Sequence, residues 1–247
     1  MPDELAGKHH PLAGAAAGGE AAPPLGGHSG EGGAEHGLRG GAGAGGEDSR
    51  DTRPDRATRF VETTQGVLSY AELAPLLADR VAEVERAITA EAFANRALDE
   101  SLLLELHQRI CGDLVPEWAG KWREIEVRVG NLNPPLPFQL PMLMRDYVLD
   151  LQARWSAACD GDAGLLLEFL AFAEGRFLTV HPFQDFNGRT VRLFLSELLR
   201  RLDLPDVDLA PESDEGRTAY FAALEAADHG EWSVLAAIWE QRLCEHG

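Results

Sequence analysis

The sequence predicts an all-α domain with a small β-hairpin flap, preceded by a disordered tail. Three observations predict it. Apolar residues recur at helical spacing through most of the chain beyond residue 65. One stretch, "REIEVRVGN", alternates apolar and polar residues instead. Residues 1–52 hold 15 of the 26 glycines and no aromatic residue.

At 247 residues the chain suits a tail, 1–52, and one domain, 53–247. The Gly/Ala-rich tail cannot bury enough apolar surface to offset the entropy of ordering it. It has no basic start followed by an apolar core, so it is not read as a secretory signal. Its acids do not suit a transit peptide. His9, His10, His28 and His36 lie scattered in it and read as incidental.

From Ser69, a candidate N-cap, "SYAELAPLLADRVAEVERAI" carries an apolar stripe through Leu73, Leu76, Leu77 and Val81. "LDESLLLELHQRICG" is a second helix, closed by Gly112, with His107 as a structural residue. Ile125, Val127 and Val129 then alternate with Glu124, Glu126 and Arg128, as in a half-exposed strand. "NLNPPLPFQLP" is too rich in proline for a helix and closes a flap over about 123–138. Trp118 and Trp122 read as packing beneath it. Helices follow over about 140–157, through "LLLEFLAFAEGRFL", and from Val191 to Leu202. Two more are expected near 213–226 and 231–245.

The net charge of −19 disfavours nonspecific nucleic-acid binding and anionic membranes. No run approaches the ~18 apolar residues of a membrane span. Cys111, Cys159 and Cys244 form no CxxC and read as thiols of a reducing, cytoplasmic compartment. Delivery as a secreted effector stays open, because specialised export needs no such signal.

The loop 181–192, "HPFQDFNGRTVR", carries the chemistry. It joins two apolar-periodic helices, with Asn187 as the expected N-cap of the second. Arg189 and Arg192 share one face of the first turn, where the helix dipole opposes cations. A strong anion in front of that turn resolves the conflict, since free N–H groups and both arginines then converge on it. Gly188 permits close backbone approach. Asp185 beside an anion makes sense if it holds a divalent cation bridging to phosphate. A histidine such as His181, whose unperturbed side chain has a pKa near neutrality, suits a general base. Together these describe phosphoryl- or nucleotidyl-transfer chemistry.

The stretch resembles the Fic family signature, His-x-Phe-x-(Asp/Glu)-(Gly/Ala)-Asn-(Gly/Lys)-Arg-x-x-Arg, at His181, Phe183, Asp185, Asn187, Gly188, Arg189 and Arg192. Upstream, "LHQRICGDLVPEWAGKWREIEVRVGN" resembles the family's helix, turn and flap. The similarity covers roughly 65–245. It implies transfer of AMP from Mg2+-ATP to a Ser, Thr or Tyr hydroxyl of a target protein. His181 would deprotonate the hydroxyl and Asp185 would hold Mg2+. Asn187 and the backbone at Gly188 would cradle phosphates. Arg189 would sit on the leaving portion and Arg192 on the terminal phosphate. Phe183 would anchor the loop in the core. Val127, Arg128 and Val129 of the flap would hold the target by strand addition. Alternatives are transfer of UMP, phosphocholine or phosphate, or a weakly active fold serving as a toxin–antitoxin or binding partner.

Two points depart from the family pattern. Phe186 stands where Gly or Ala is usual in this nucleotide-binding turn. Either its side chain turns outward, or it excludes the usual phosphate pose. The inhibitory pattern (Ser/Thr)-x-x-x-Glu-(Gly/Asn) is absent as written. "TRFVETTQG" comes near it, with Thr58 and Glu62 spaced correctly and Thr63 in the last place. Glu62 on a helix is therefore the candidate for self-inhibition, with a separate antitoxin as the alternative.

Overall fold

The computed structural model describes residues 60–129, 132–210 and 213–246. The tail, its histidines, Thr58 and the flap residues Gly130 and Asn131 lie outside the described residues.

The described chain is mostly helical with one two-stranded antiparallel hairpin. The hairpin comes first. β1 (Phe60–Thr63) pairs with β2 (Gly66–Ser69), with Glu62 opposite Val67. The chain then enters α1 (Tyr70–Thr89) through a capping box, Ser69 accepting from the Glu72 N–H and Glu72 reaching back to Ser69. α2 (Glu100–Cys111) starts on the Asp99 carboxylate, which accepts from the Leu102 N–H. A short 3-10 turn, Pro137–Gln139, leads into α3 (Leu140–Cys159).

α4 (Ala163–Val180) is the central helix. It is apolar on nearly every side, which suits a helix surrounded by protein. It packs on α3, on α5 (Asn187–Arg201), on α6 (Asp214–Asp228) and on α7 (Ser233–His246). Gly175 lets that approach happen, since a Cβ there would meet Trp232, Ala227 and Leu235 at 3.0–3.1 Å. Its one buried carboxylate, Glu174, accepts from Tyr220 at 2.6 Å and Arg242 at 2.9 Å. That arrangement satisfies the charge and ties α6 and α7 to the centre.

Two expectations change. Among the described residues the alternating stretch forms no ladder. Its one bridge joins Val129 to Leu132, and Ile125 is exposed. The regular hairpin lies instead at 60–69, where Glu62 was expected on a helix. Thr63 hydroxyl contacts and Gly66, at φ +102°, favour the reversal there.

Candidate active site

The loop between α4 and α5 is bracketed by two left-handed residues. His181, at φ 49° and ψ 60°, ends α4, and Phe186, at φ 58° and ψ 17°, caps α5. Side chains with a Cβ rarely adopt this conformation, which costs roughly 1–2 kcal/mol each. Surrounding contacts hold it in place.

Asn187 supplies the first of these. It is the first residue of α5 and not its cap. Its Oδ1 accepts from the Phe183 N–H at 2.9 Å and its Nδ2 donates to the Phe183 carbonyl at 2.8 Å. The buried amide is thus turned inward onto the loop, and only its backbone is left to face a ligand. The N–H groups of Asn187 and Gly188 have no acceptor among the described residues. Beyond Gly188, a Cβ would meet only Arg192 at 3.8 Å.

His107 supplies the second. Its Nδ1 accepts from the Gly120 N–H at 2.8 Å, which leaves Nε2 protonated to donate to the Asp185 carbonyl at 3.2 Å. Its ring lies parallel to Phe183, 3.8 Å between centroids. Burial pulls its pKa down to about 4, so it is neutral at pH 7. Trp118 and Trp122 pack here too, Trp122 on Phe183 at 5.1 Å and Trp118 on Phe186 at 5.5 Å.

Phe186 does not turn outward, and the Arg189 guanidinium of the first turn of α5 lies over its ring, 5.8 Å from the centroid. Its ring is buried among Tyr70, His107 and Trp118. The packing offsets the strain of its backbone. Asp185 beside it accepts the Phe186 N–H at 2.8 Å on one oxygen and the Tyr70 hydroxyl on the other.

His181 is half-buried, and its Nδ1 lies 3.3 Å from the Leu178 carbonyl. That contact favours the tautomer in which Nε2 carries the lone pair. Its own carbonyl accepts from Arg123 at 2.8 Å. Arg189 is half-buried. Burial first, then the charge of Arg192, lowers its pKa, and Asp185 opposes the shift. Neither Arg189 nor Arg192 has an ion pair among the described residues. Both line a cavity of about 660 Å3 between α1, α5 and residues 204–210. Asp185 and Gln184 line a second cleft, with Glu62, Glu117 and Trp118.

The structure thus brings His181, Asp185, Gly188, Arg189 and Arg192 to one loop and helix start. It does not bring Glu62 to Arg192. Glu62 is an exposed strand residue on the Asp185 side, without an ion pair among the described residues. In the flap, Val127 and Val129 are half-buried and Arg128 is exposed. Sequence reasoning missed Tyr70, whose partner Asp185 lies far along the chain, and Arg123, which joins nearby Ile125 and Pro135 to distant Val180 and His181.

Residues 97–199 match the family model described as Fic/DOC family. Over that stretch the chain is similar to Fic/DOC domains. The match runs from before α2 into the last turn of α5 and includes the whole loop. "Protein adenylyltransferase fic-1" of Caenorhabditis briggsae is 36% identical over 129 residues, 52% of this chain and 24% of that protein. "Protein adenylyltransferase Fic" of Drosophila melanogaster is 33% identical over 129 residues, 52% of this chain and 25% of its own length. The chain therefore spans about a quarter of these relatives.

Solved Fic domains share the fold. The BepC protein of Bartonella tribocorum, with bound AMPPNP, aligns with a TM-score of 0.58 at 18% identity, over 76% of this chain and 93% of that one. The Fic domain of Bep8 from Bartonella sp. 1-1C aligns at 0.57 and 15%, over 74% and 90%.

For Mg2+, the 181–192 loop offers a single carboxylate. Among the described residues no group of three His, Cys, Asp or Glu could hold a metal alone. Mg2+ is commonly held by one or two carboxylates plus substrate phosphates. Asp185, the loop's single carboxylate, matches in number what a cation arriving with a nucleotide takes from the protein, and its oxygens here accept from the Phe186 N–H and the Tyr70 hydroxyl. No described helix is long and apolar enough to cross a membrane.

Proposed function

We propose that this domain transfers AMP from Mg2+-ATP to a hydroxyl side chain of a target protein. The observation that carries it is the convergence, at the start of α5, of N–H donors without acceptors and two arginines without anionic partners among the described residues, with His181 on the same loop. The names of the curated relatives, protein adenylyltransferases, point the same way.

The open N–H groups of Asn187 and Gly188 would hold the α-phosphate, where the helix dipole favours an anion. Arg189 would neutralise charge growing on pyrophosphate as it leaves. Arg192, exposed at the edge of the cavity, would take the terminal phosphate. His181 Nε2 would accept the proton of the target hydroxyl while its oxygen attacks phosphorus and the bond to pyrophosphate breaks. Asp185 would hold Mg2+, which neutralises phosphate charge when bound. In the flap, Val129 already pairs with Leu132, while the backbones of Val127 and Arg128 have no partner among the described residues and would be the ones to pair with an extended target segment. Free thiols at Cys111, Cys159 and Cys244 suit a cytoplasmic setting.

ATP labelled separately at the α and γ phosphates tests the reading. Label from α alone on protein is the expected result. Label from γ would establish phosphorylation instead. No label from either would overturn transfer from ATP.

A further inference from the structure

Arg123 is 3% exposed, and among the described residues no carboxylate pairs with it. Its guanidinium is satisfied by carbonyl oxygens of two separate segments. At the end of α4, Nε donates to His181 at 2.8 Å and one terminal nitrogen reaches Val180 at 3.4 Å. At the base of the flap, the same nitrogen donates to Pro135 at 2.6 Å and the other to Ile125 at 3.0 Å. The backbone N–H of Arg123 donates to Pro182 at 2.8 Å. Buried charge is ordinarily tolerated only when fully hydrogen-bonded. Here the last carbonyls of α4, which carry the negative end of its dipole, supply part of that compensation.

We propose that Arg123 is a positioning residue that ties the flap to His181, so that the segment receiving the target and the group accepting its proton keep one fixed relation. The idea rests on the transfer reading above for its functional half. Four carbonyls in two directions need the planar fork of a guanidinium, and an ammonium cannot span them. The ties also bear on the left-handed backbone of His181, which has no glycine to relax it. Attack on phosphorus depends on reacting atoms held within a few tenths of an ångström, so a flap that shifts independently of His181 loses rate even with nucleotide bound.

The test uses the full chain with Arg123→Lys and Arg123→Gln, read by hydrogen exchange, by calorimetric binding of AMPPNP, and by labelling from α-labelled ATP with a cell extract as the source of acceptors. AMPPNP affinity is expected to stay within threefold of wild type, since Arg123 touches none of the open donors. Exchange is expected to rise at least tenfold in both 125–129 and 178–187, and labelling to fall at least thirtyfold. Arg123→Lys, the variant that keeps the charge if Arg123→Gln does not fold, is expected to show the same joint rise. A rise in the flap with 178–187 unchanged, full rescue by lysine, or wild-type labelling would overturn the proposal. Wild-type protein that labels nothing would remove the transfer reading, while the exchange pattern still decides whether the tie exists.

Discussion

Tyr70, the first residue of α1, donates its hydroxyl to the carboxylate of Asp185, 115 residues further along the chain. The contact links the N-terminal hairpin and α1 to the loop. It also helps fix the direction of the carboxylate, whose other oxygen accepts the Phe186 N–H. Tyr70→Phe keeps the ring against Phe186 and removes only this donor. The expected cost is about 1 kcal/mol of unfolding free energy, the worth of one partly exposed hydrogen bond. Hydrogen exchange at 184–188 should rise more than elsewhere, and an unchanged loop would show that the bond does not anchor it.

Phe186 inverts a common rule. At φ 58° the backbone favours glycine, while the ring is buried on Tyr70, His107 and Trp118. Phe186→Ala loses the ring and keeps the Cβ, for roughly 3–5 kcal/mol. Phe186→Gly loses the ring but relaxes the backbone, recovering about 1 kcal/mol. Urea denaturation should rank glycine above alanine, and the opposite order would show that the left-handed conformation is not strained.

His107 gives a pH signature. Its pKa is about 4 when folded against 6.5 unfolded. The unfolded chain therefore takes up the proton first. This contribution is fully present above pH 6.5 and is lost as pH falls toward 4, by roughly 3 kcal/mol in all. His107→Gln should lower stability at pH 7.5 and flatten the decline between pH 6.5 and 4. Parallel curves for wild type and variant would contradict the neutral buried ring.

The loop residues separate by assay. His181→Ala should nearly abolish transfer with ATP binding largely intact, because only the proton acceptor goes. Arg189→Ala should also lose transfer. Arg192→Ala should weaken ATP more than AMP, and equal effects on both would displace it from the terminal phosphate.

Glu62→Gly is expected to leave transfer within twofold of wild type. The residue is exposed on β1 and borders the cleft of Asp185, not the cavity of Arg189 and Arg192. A gain of several-fold that disappears in the Arg192→Ala background would show that the two charges meet.

The helices were legible because burial repeats along them at helical spacing, and Ser69 with Glu72 announces the start of α1. The loop was legible because its donors and its one acid, Asp185, crowd into twelve residues of sequence. The hairpin was not, since two strands of four residues carry too short a pattern to outweigh the helix spacing of Thr58 and Glu62. Asn187 was misplaced by one position because its amide serves Phe183 and not the helix end. The contacts of Tyr70 with Asp185 and of Arg123 with Val180 and His181 were not legible, because local sequence does not encode partners so distant along the chain.

The two left-handed residues that bracket the loop have a consequence for recognition. Conformational strain accepted during folding does not have to be met again when a ligand arrives. A phosphate group reaching α5 would find its donors already oriented, with little chain left to order, so more of the contact energy appears as affinity. Such preorganisation also makes the loop intolerant of looseness elsewhere. A cavity opened under Phe183 or Phe186 would free the backbone to relax into its commoner conformations, and the donors would disperse before any of them was mutated.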